Sequence, residues 1–281
     1  MDPFVFTAVL VAAACHAGWN TLLKLKVAPV VATVLVAVTA GLMVLPLLPF
    51  IPLPAARAWP YIVASAIIHV AYFLTLAEAY RWGDLGQVYP IARGAAPLLT
   101  AALAAFWLKE ALGGAGWAGV SVLAGGIVLL AARGGRGRAR FDGRAVAAAL
   151  ATSLTITAYT LVDGIGARLA GSALAYTVWL FISDGVTMAI YGWLRLGSAL
   201  VPEFRAHWRT ATAGAALSTV AYAIAIWAMT VAPIALVAAL RETSVLFAAL
   251  FAALILREPI LPARLAAAGL VLAGAVLLRF R

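Results

Sequence analysis

The chain has 281 residues, is 65% hydrophobic, holds only 11% charged side chains and carries a net charge of +10. A soluble domain has about half apolar and a quarter charged residues, so this composition leaves too little polar surface to face water. The arginines lack the motif or aromatic interleaving of a nucleic-acid site, and the single cysteine, Cys15, excludes an internal disulfide.

Apolar runs of about 20 residues, the length that crosses a bilayer as a helix, recur from end to end. The expected fold is an all-α polytopic membrane protein. Breaks at charges, prolines and glycines give spans at 3–23, 29–50, 59–80, 85–108, 114–132, 145–165, 173–196, 208–230, 233–256 and 262–280. The first span does not read as a signal peptide: Asp2 precedes it, no basic region does, and its apolar length exceeds an ordinary signal core. On it His16, Trp19 and Asn20 share one helical face. On the third span His69, Tyr72, Leu76 and Tyr80 do so, with Glu78 nearby as a candidate coupling or ion-pair carboxylate. Lone histidines such as His69 are often satisfied by a backbone carbonyl.

The fourth span holds Arg93, flanked by Pro90 and Pro97 as candidate hinges. Gly125 and Gly126 of the fifth suit close helix packing. Next comes "ARGGRGRARFDGR" at 132–144, a Gly/Arg-rich linker. It divides the chain into residues 1–132 and 145–281, with 133–144 between them. Thr152, Thr155, Tyr159 and Asp163 form a stripe on the sixth span, and Tyr176, Trp179 and Ser183 one on the seventh, where Asp184 also lies deep. Ser218, Tyr222 and Ile226 make a weaker stripe on the eighth. Pro233 opens the ninth, which carries Arg241 and Glu242 side by side. Tyr80, Trp82 and Trp117 read as interfacial belt residues, and His207 lies at a span edge.

The two halves look related. "WLKEALGGAGWAGVSVLAGGIVLL" at 107–130 resembles "ILREPILPARLAAAGLVLAGAVLL" at 255–278, with an offset of 148 that also carries Arg93 onto Arg241. Five spans is an odd number, so the second copy enters the membrane from the opposite side. Inverted repeats of this kind are a common plan for transporters, with a site near the midplane between the halves. Both arginines then lie near the midplane, Arg241 roughly 12 Å into its helix.

An arginine at that depth costs roughly 2.5–3.5 kcal/mol and calls for a cavity, a carboxylate or a substrate. Arg93, Arg241, Glu242 and Asp184 are the buried charges that matter most. The rival reading is an ion-pair network that only locks helices together. The polar and aromatic stripes are expected to line an internal cavity, and aromatic walls with a few polar groups suit a small amphipathic ligand.

The ten spans, the paired "WLKE…GG…VLL" and "ILRE…AG…VLL" segments and the opening "ACHAGWNTLLK" resemble the drug/metabolite transporter superfamily, EamA type. Within it the chain resembles a YddG-like amino-acid exporter. The resemblance implies two inverted five-helix halves around a central cavity in a bacterial inner membrane, and outward movement of small metabolites by alternating access. The basic loops place the Arg-rich linker in the cytoplasm and both termini outside; many relatives place both termini inside.

The expected function is export of amino acids or related zwitterions. The candidate substrate-binding residues are His16, Trp19, Asn20, Tyr72, Arg93, Tyr159, Trp179, Tyr222, Arg241 and Glu242. Asp184, Asp163 and Glu78 are the candidate coupling or ion-pair groups, and Pro90, Pro97 and Pro233 the candidate hinges. The expected partners are an amino-acid substrate and membrane lipid; no cofactor, metal or nucleic acid is implied. Rival functions are a cationic drug or amine exporter, a membrane enzyme and a passive channel. No metal-diphosphate repeat, H-E-x-x-H, G-x-S-x-G elbow or nucleotide-binding loop is present.

Overall fold

The computed structural model describes residues 1–24, 29–82, 85–134, 142–255 and 262–280. These form α1 (Pro3–Lys24), α2 (Pro29–Val44), α3 (Trp59–Trp82), α4 (Leu85–Trp107), α5 (Gly113–Gly134), α6 (Gly143–Leu169), α7 (Ala173–Leu196), α8 (Leu200–Val231), α9 (Ile234–Arg241), α10 (Ser244–Ile255) and α11 (Pro262–Arg279). Their ends carry ordinary stop and start chemistry. Asp2 accepts from the N–H groups of Phe4 and Val5, Asp142 from that of Arg144, and Ser172 from that of Ala175. Gly197, with φ at +54°, closes α7.

Two corrections to the ten-span expectation follow. The stretch 233–256 is two helices, α9 and α10, separated by a turn at Glu242–Thr243. Among the described residues six stretches are long and apolar enough to cross a membrane, one of them holding both α7 and α8. The apolar stretches of α4, α5 and α11 are shorter, at Ile91–Trp107, Gly113–Leu129 and Ala266–Arg279. The outer faces carry exposed large apolar side chains, such as Val63, Ile67, Ile190, Leu194 and Leu254. Only a lipid environment suits so continuous an apolar exterior.

The helices pair across the two halves. α3 packs on α6 and α1 on α8, while α2 packs on α7 and α5 on α11. If α1, α2, α3 and α5 are exchanged with α6, α7, α8 and α11, the first two contacts swap and the last two map onto themselves. Both self-mapping pairs run antiparallel. Gly119 of α5 faces Leu278 of α11, whereas Gly126 faces Val271; Gly41 of α2 faces Gly185 of α7, whereas Val34 faces Gly192. Small residues allow this closeness: a Cβ on Gly126 would come within 2.9 Å of the Val271 backbone nitrogen. Gly125 has no such neighbour, so of the two glycines singled out Gly126 is the packing one.

The same contacts define one face of the molecule. The start of α5 lies beside the end of α11, and the Met1 amino group donates to Arg279 O. Both termini and the connections 50–58, 107–113, 169–173 and 231–234 therefore share what we term the terminal face. Here Ala55 N donates to Ala170 O at 3.1 Å, and Arg57 Nε to Leu169 O at 3.1 Å.

Candidate functional site

The charged centre is built at the α9–α10 break. Around Glu242 the helix tightens to i→i+3 bonds, Glu242 N to Ala239 O and Thr243 N to Leu240 O, each 3.1 Å. Thr243 Oγ1 donates to the same Leu240 carbonyl at 2.7 Å. The hydroxyl bond accompanies the break without causing it, since Thr75 and Thr155 make the same bond to the carbonyl three residues back inside unbroken helices; a short 3-10 stretch inside a helix often marks a functional hinge. The break turns Glu242 toward α4, where its Oε2 lies 2.9 Å from Arg93 Nε. Both side chains are buried, at 7% and 6% exposure, so this is an ion pair taken out of solvent.

On its other side Arg93 Nη2 lies 3.5 Å from His16 Nε2. Trp19 Nε1 donates to His16 Nδ1 at 3.2 Å, so the indole and the guanidinium, both donors only, approach opposite nitrogens of one imidazole. Asn20 uses its amide on its own helix, donating to His16 O at 2.8 Å.

Arg241 is placed differently. Its guanidinium lies 4.9 Å from the centroid of the Tyr222 ring, and it forms no ion pair among the described residues. The Tyr222 hydroxyl donates to Asp163 Oδ2, and Tyr176 donates to Asp163 Oδ1 at 2.9 Å. Asp163 is thereby fully buried yet satisfied on both oxygens. An aromatic wall continues from Tyr222 through Tyr159 to His69, which stacks on Tyr159 at 4.5 Å, with Tyr72 edge-on to Tyr159 at 5.9 Å. His69 Nδ1 lies 3.0 Å from Ser65 O and 3.6 Å from Asp184 Oδ2. Asp184 Oδ1 is buried and has no hydrogen-bond partner among the described residues.

The structure therefore brings His16, Trp19, Arg93, Tyr72, Tyr159, Asp163, Asp184, Tyr222, Arg241 and Glu242 into one connected cluster. It leaves others outside. Glu78 faces the surface, bonded to Trp82 Nε1 and 3.8 Å from Arg81. Trp179 packs on Trp59 at 4.9 Å, and its buried indole N–H finds no partner among the described residues. α4 runs as one helix through Pro90 and Pro97, so the break expected beside Arg93 occurs in the other repeat, after Arg241. There Ser153 and Thr157 of α6 donate to the α4 carbonyls of Ala92 and Ala96. Pro233 directly precedes α9 as its N-cap residue. His207 pairs weakly with Glu203 at the start of α8, and Trp117 is exposed. The side chains of Tyr80 and Pro90 lie outside the described residues, as do the linker residues 135–141.

A small pocket sits at the centre, lined by Arg93, Thr100, Tyr159, Ala238, Arg241 and Glu242 among others. Its volume is about 10 Å³, room for about one water molecule. Among the described residues no group of three His, Cys, Asp or Glu is placed to hold a metal ion.

Residues 4–132 and 143–280 each match the EamA-like transporter family. The chain belongs to that family. EamA-like proteins are transporters, which agrees with a multi-pass helical chain whose interior collects charges. A solved crystal structure of a protein superposes with a TM-score of 0.76 at 19% identity, over 97% of this chain and 98% of that one, and shows a shared fold. No curated protein matches the sequence.

Glu110 and Arg168 are not among the residues singled out from the sequence. The structure joins them at 2.9 Å on the terminal face. The recurrence of Lys-Glu at 109–110 and Arg-Glu at 257–258, each just after an apolar span, was the available signal.

Proposed function

We propose that this EamA-like chain is a secondary transporter that exports amino acids or related zwitterions by alternating access between two inverted halves. The observation that carries the reading is the inequality of the two central arginines. Glu242 neutralises Arg93, while Arg241 lines the pocket with an aromatic ring as its neighbour and no ion-pair partner among the described residues. A half-buried guanidinium in that position recruits a carboxylate, which it binds bidentately.

Asp184, whose Oδ1 lacks a donor among the described residues, or Glu242 receives the ammonium. Tyr159 and Tyr222 supply wall for the cargo side chain. The antiparallel packing of equivalent helices supports halves that rock about a shared site. The pocket is too small for an amino acid as it stands, so cargo enters only after the halves move apart.

A cationic-amine exporter is the second reading. It is favoured by one observation, the unpartnered Asp184 oxygen near an aromatic wall. Both readings are tested with purified protein in liposomes and a radiolabelled panel of neutral and aromatic amino acids, a dicarboxylate, a nucleoside and a quaternary amine. Saturable amino-acid flux that Arg241→Ala abolishes supports the zwitterion site. Flux of the amine alone, or flux indifferent to Arg241→Ala, transfers the function to cation export.

A further inference from the structure

We propose that Glu110 is a positioning residue that latches the terminal face shut. It sits in the connection after α4, its backbone N–H bonded to Ala104 O and its predecessor Lys109 in a left-handed conformation at φ +54°. This geometry delivers the carboxylate to the first turn of α9. Ile234 N donates to Oε1 at 3.0 Å and Ala235 N to Oε2 at 3.3 Å. A carboxylate there satisfies two orphan helix donors and meets the positive end of the helix dipole.

Arg168, at the end of α6, donates to Glu110 Oε1 at 2.9 Å. Its remaining N–H groups reach the end of α8, Nε to Met229 O at 2.8 Å and Nη2 to Ala232 O at 2.9 Å. One carboxylate thus ties the end of α4 to α6 and to the α8–α9 corner.

The location gives this cluster its meaning. The pocket is lined by three helices: α4 through Arg93 and Thr100, α6 through Tyr159, and α9 through Ala238 and Arg241. The Glu110–Arg168 cluster binds the terminal-face ends of these same three helices. α9 is eight residues long, and Ile234 to Leu240 are all buried. A short, fully packed helix transmits the position of its first turn to its last, where Arg241 and Glu242 sit. The latch therefore sets the register of α9 that aims Glu242 at Arg93. It must release when the pocket opens toward the terminal face. This inference rests on the alternating-access reading, but its test needs no cargo.

The test is the accessibility of a pocket thiol. In a Cys15→Ala background, Thr100→Cys places a single thiol in the pocket. Intact cells and inverted vesicles are treated with a membrane-impermeant maleimide, and Phe280→Cys shows which preparation presents the terminal face. With Glu110 intact, labelling from that face is slow. Glu110→Ala is expected to raise it about tenfold, and Glu110→Gln by less, because the amide keeps one acceptor but loses the charge. Exchanging the pair, Glu110→Arg with Arg168→Glu, is expected not to restore slow labelling, since an arginine cannot cap a helix N-terminus. Arg279→Ala, on the same face but bonded to Met1 O rather than to Glu110 or Arg168, should leave the rate unchanged.

Thermal unfolding in detergent runs beside the labelling to confirm that each variant is folded. Unchanged labelling in folded Glu110→Ala overturns the latch. Rescue by the exchanged pair also overturns it in this form, leaving a simple ion pair. A latch that behaves as expected beside a panel with no transported compound leaves the latch standing and removes the cargo assignment instead.

Discussion

Arg93 and Arg241 occupy equivalent positions in the two repeats, yet they live in different chemistry. Arg93 lies in an unbroken helix, 5% exposed, with Glu242 at 2.9 Å. Arg241 ends a short helix, faces the pocket and rests over Tyr222. The difference traces to the residue that follows each arginine. It is Gly94 in the first repeat and Glu242 in the second. Glu242 pairs with Arg93 alone, and on the proposed reading Arg241 is the charge that meets cargo. A symmetric pair of Arg–Glu units would be a structural lock with nothing left to bind.

The largest expected effect breaks the paired side. Arg93→Ala strands Glu242 as a buried, uncompensated charge, which costs about 3–5 kcal/mol. Denaturant unfolding in detergent should show that loss. Adding Glu242→Gln should return much of it, the signature of a coupled pair in a double-mutant cycle. Equal destabilisation by Arg93→Ala and Arg241→Ala would mean that the two arginines are not in different chemistry after all.

Arg241→Ala tests the free side. Stability should fall by no more than about 2 kcal/mol, the scale of one desolvated cation–π contact. Binding of a carboxylate-bearing cargo should weaken about 10- to 100-fold, the scale of one hydrogen bond to a charged group. Substrate-concentration curves for flux in liposomes separate this from a loss of folded protein. A cargo affinity that Arg241→Ala does not change would assign Arg241 to structure alone.

Tyr222→Phe sharpens the same contrast, with a smaller expected effect on cargo. It keeps the ring beneath Arg241 and removes one of the two phenol donors to Asp163. Stability should drop about 1–3 kcal/mol for the orphaned carboxylate oxygen, with cargo affinity little changed. A large affinity loss in a folded Tyr222→Phe protein would put the hydroxyl, not the guanidinium, on the cargo.

Much of this arrangement is legible in the sequence. Apolar length marks most helices, and the 148-residue offset pairs the two arginines before any coordinates are seen. Helical spacing gathers His16 with Trp19, and Tyr159 with Asp163, because i, i+3 and i+4 neighbours are fixed by the helix itself. Partners across helices are not fixed that way. Nothing in the local spacing says that Glu242 meets Arg93 rather than Asp184 meeting Arg241, since that choice is made by packing between α4 and α9. The helix break was sought at prolines, the strongest local signal. It lies instead at Glu242–Thr243, where neither proline nor glycine stands to signal it. Glu110 escaped notice because it lies in a connection, and only the fold brings α9 to it.

The smallest expected effect explains why the first repeat lacks its own carboxylate. Gly94 faces α5, and a Cβ there would lie 3.0 Å from Val128 Cγ2. Val128 is 48% exposed, so its side chain can turn toward lipid and yield the few tenths of an ångström required. Alanine also gains about 1 kcal/mol of helix propensity over glycine. The two terms oppose, and Gly94→Ala should change unfolding stability by less than about 1 kcal/mol and leave flux intact. Gly94→Glu has no such escape: a longer, charged side chain would be driven into the α4–α5 contact with no arginine to meet it. Transport lost in a fully folded Gly94→Ala protein would place Gly94 on the cargo path. The contrast between packing at 94 and charge at 242 would then give way to two halves of one binding surface.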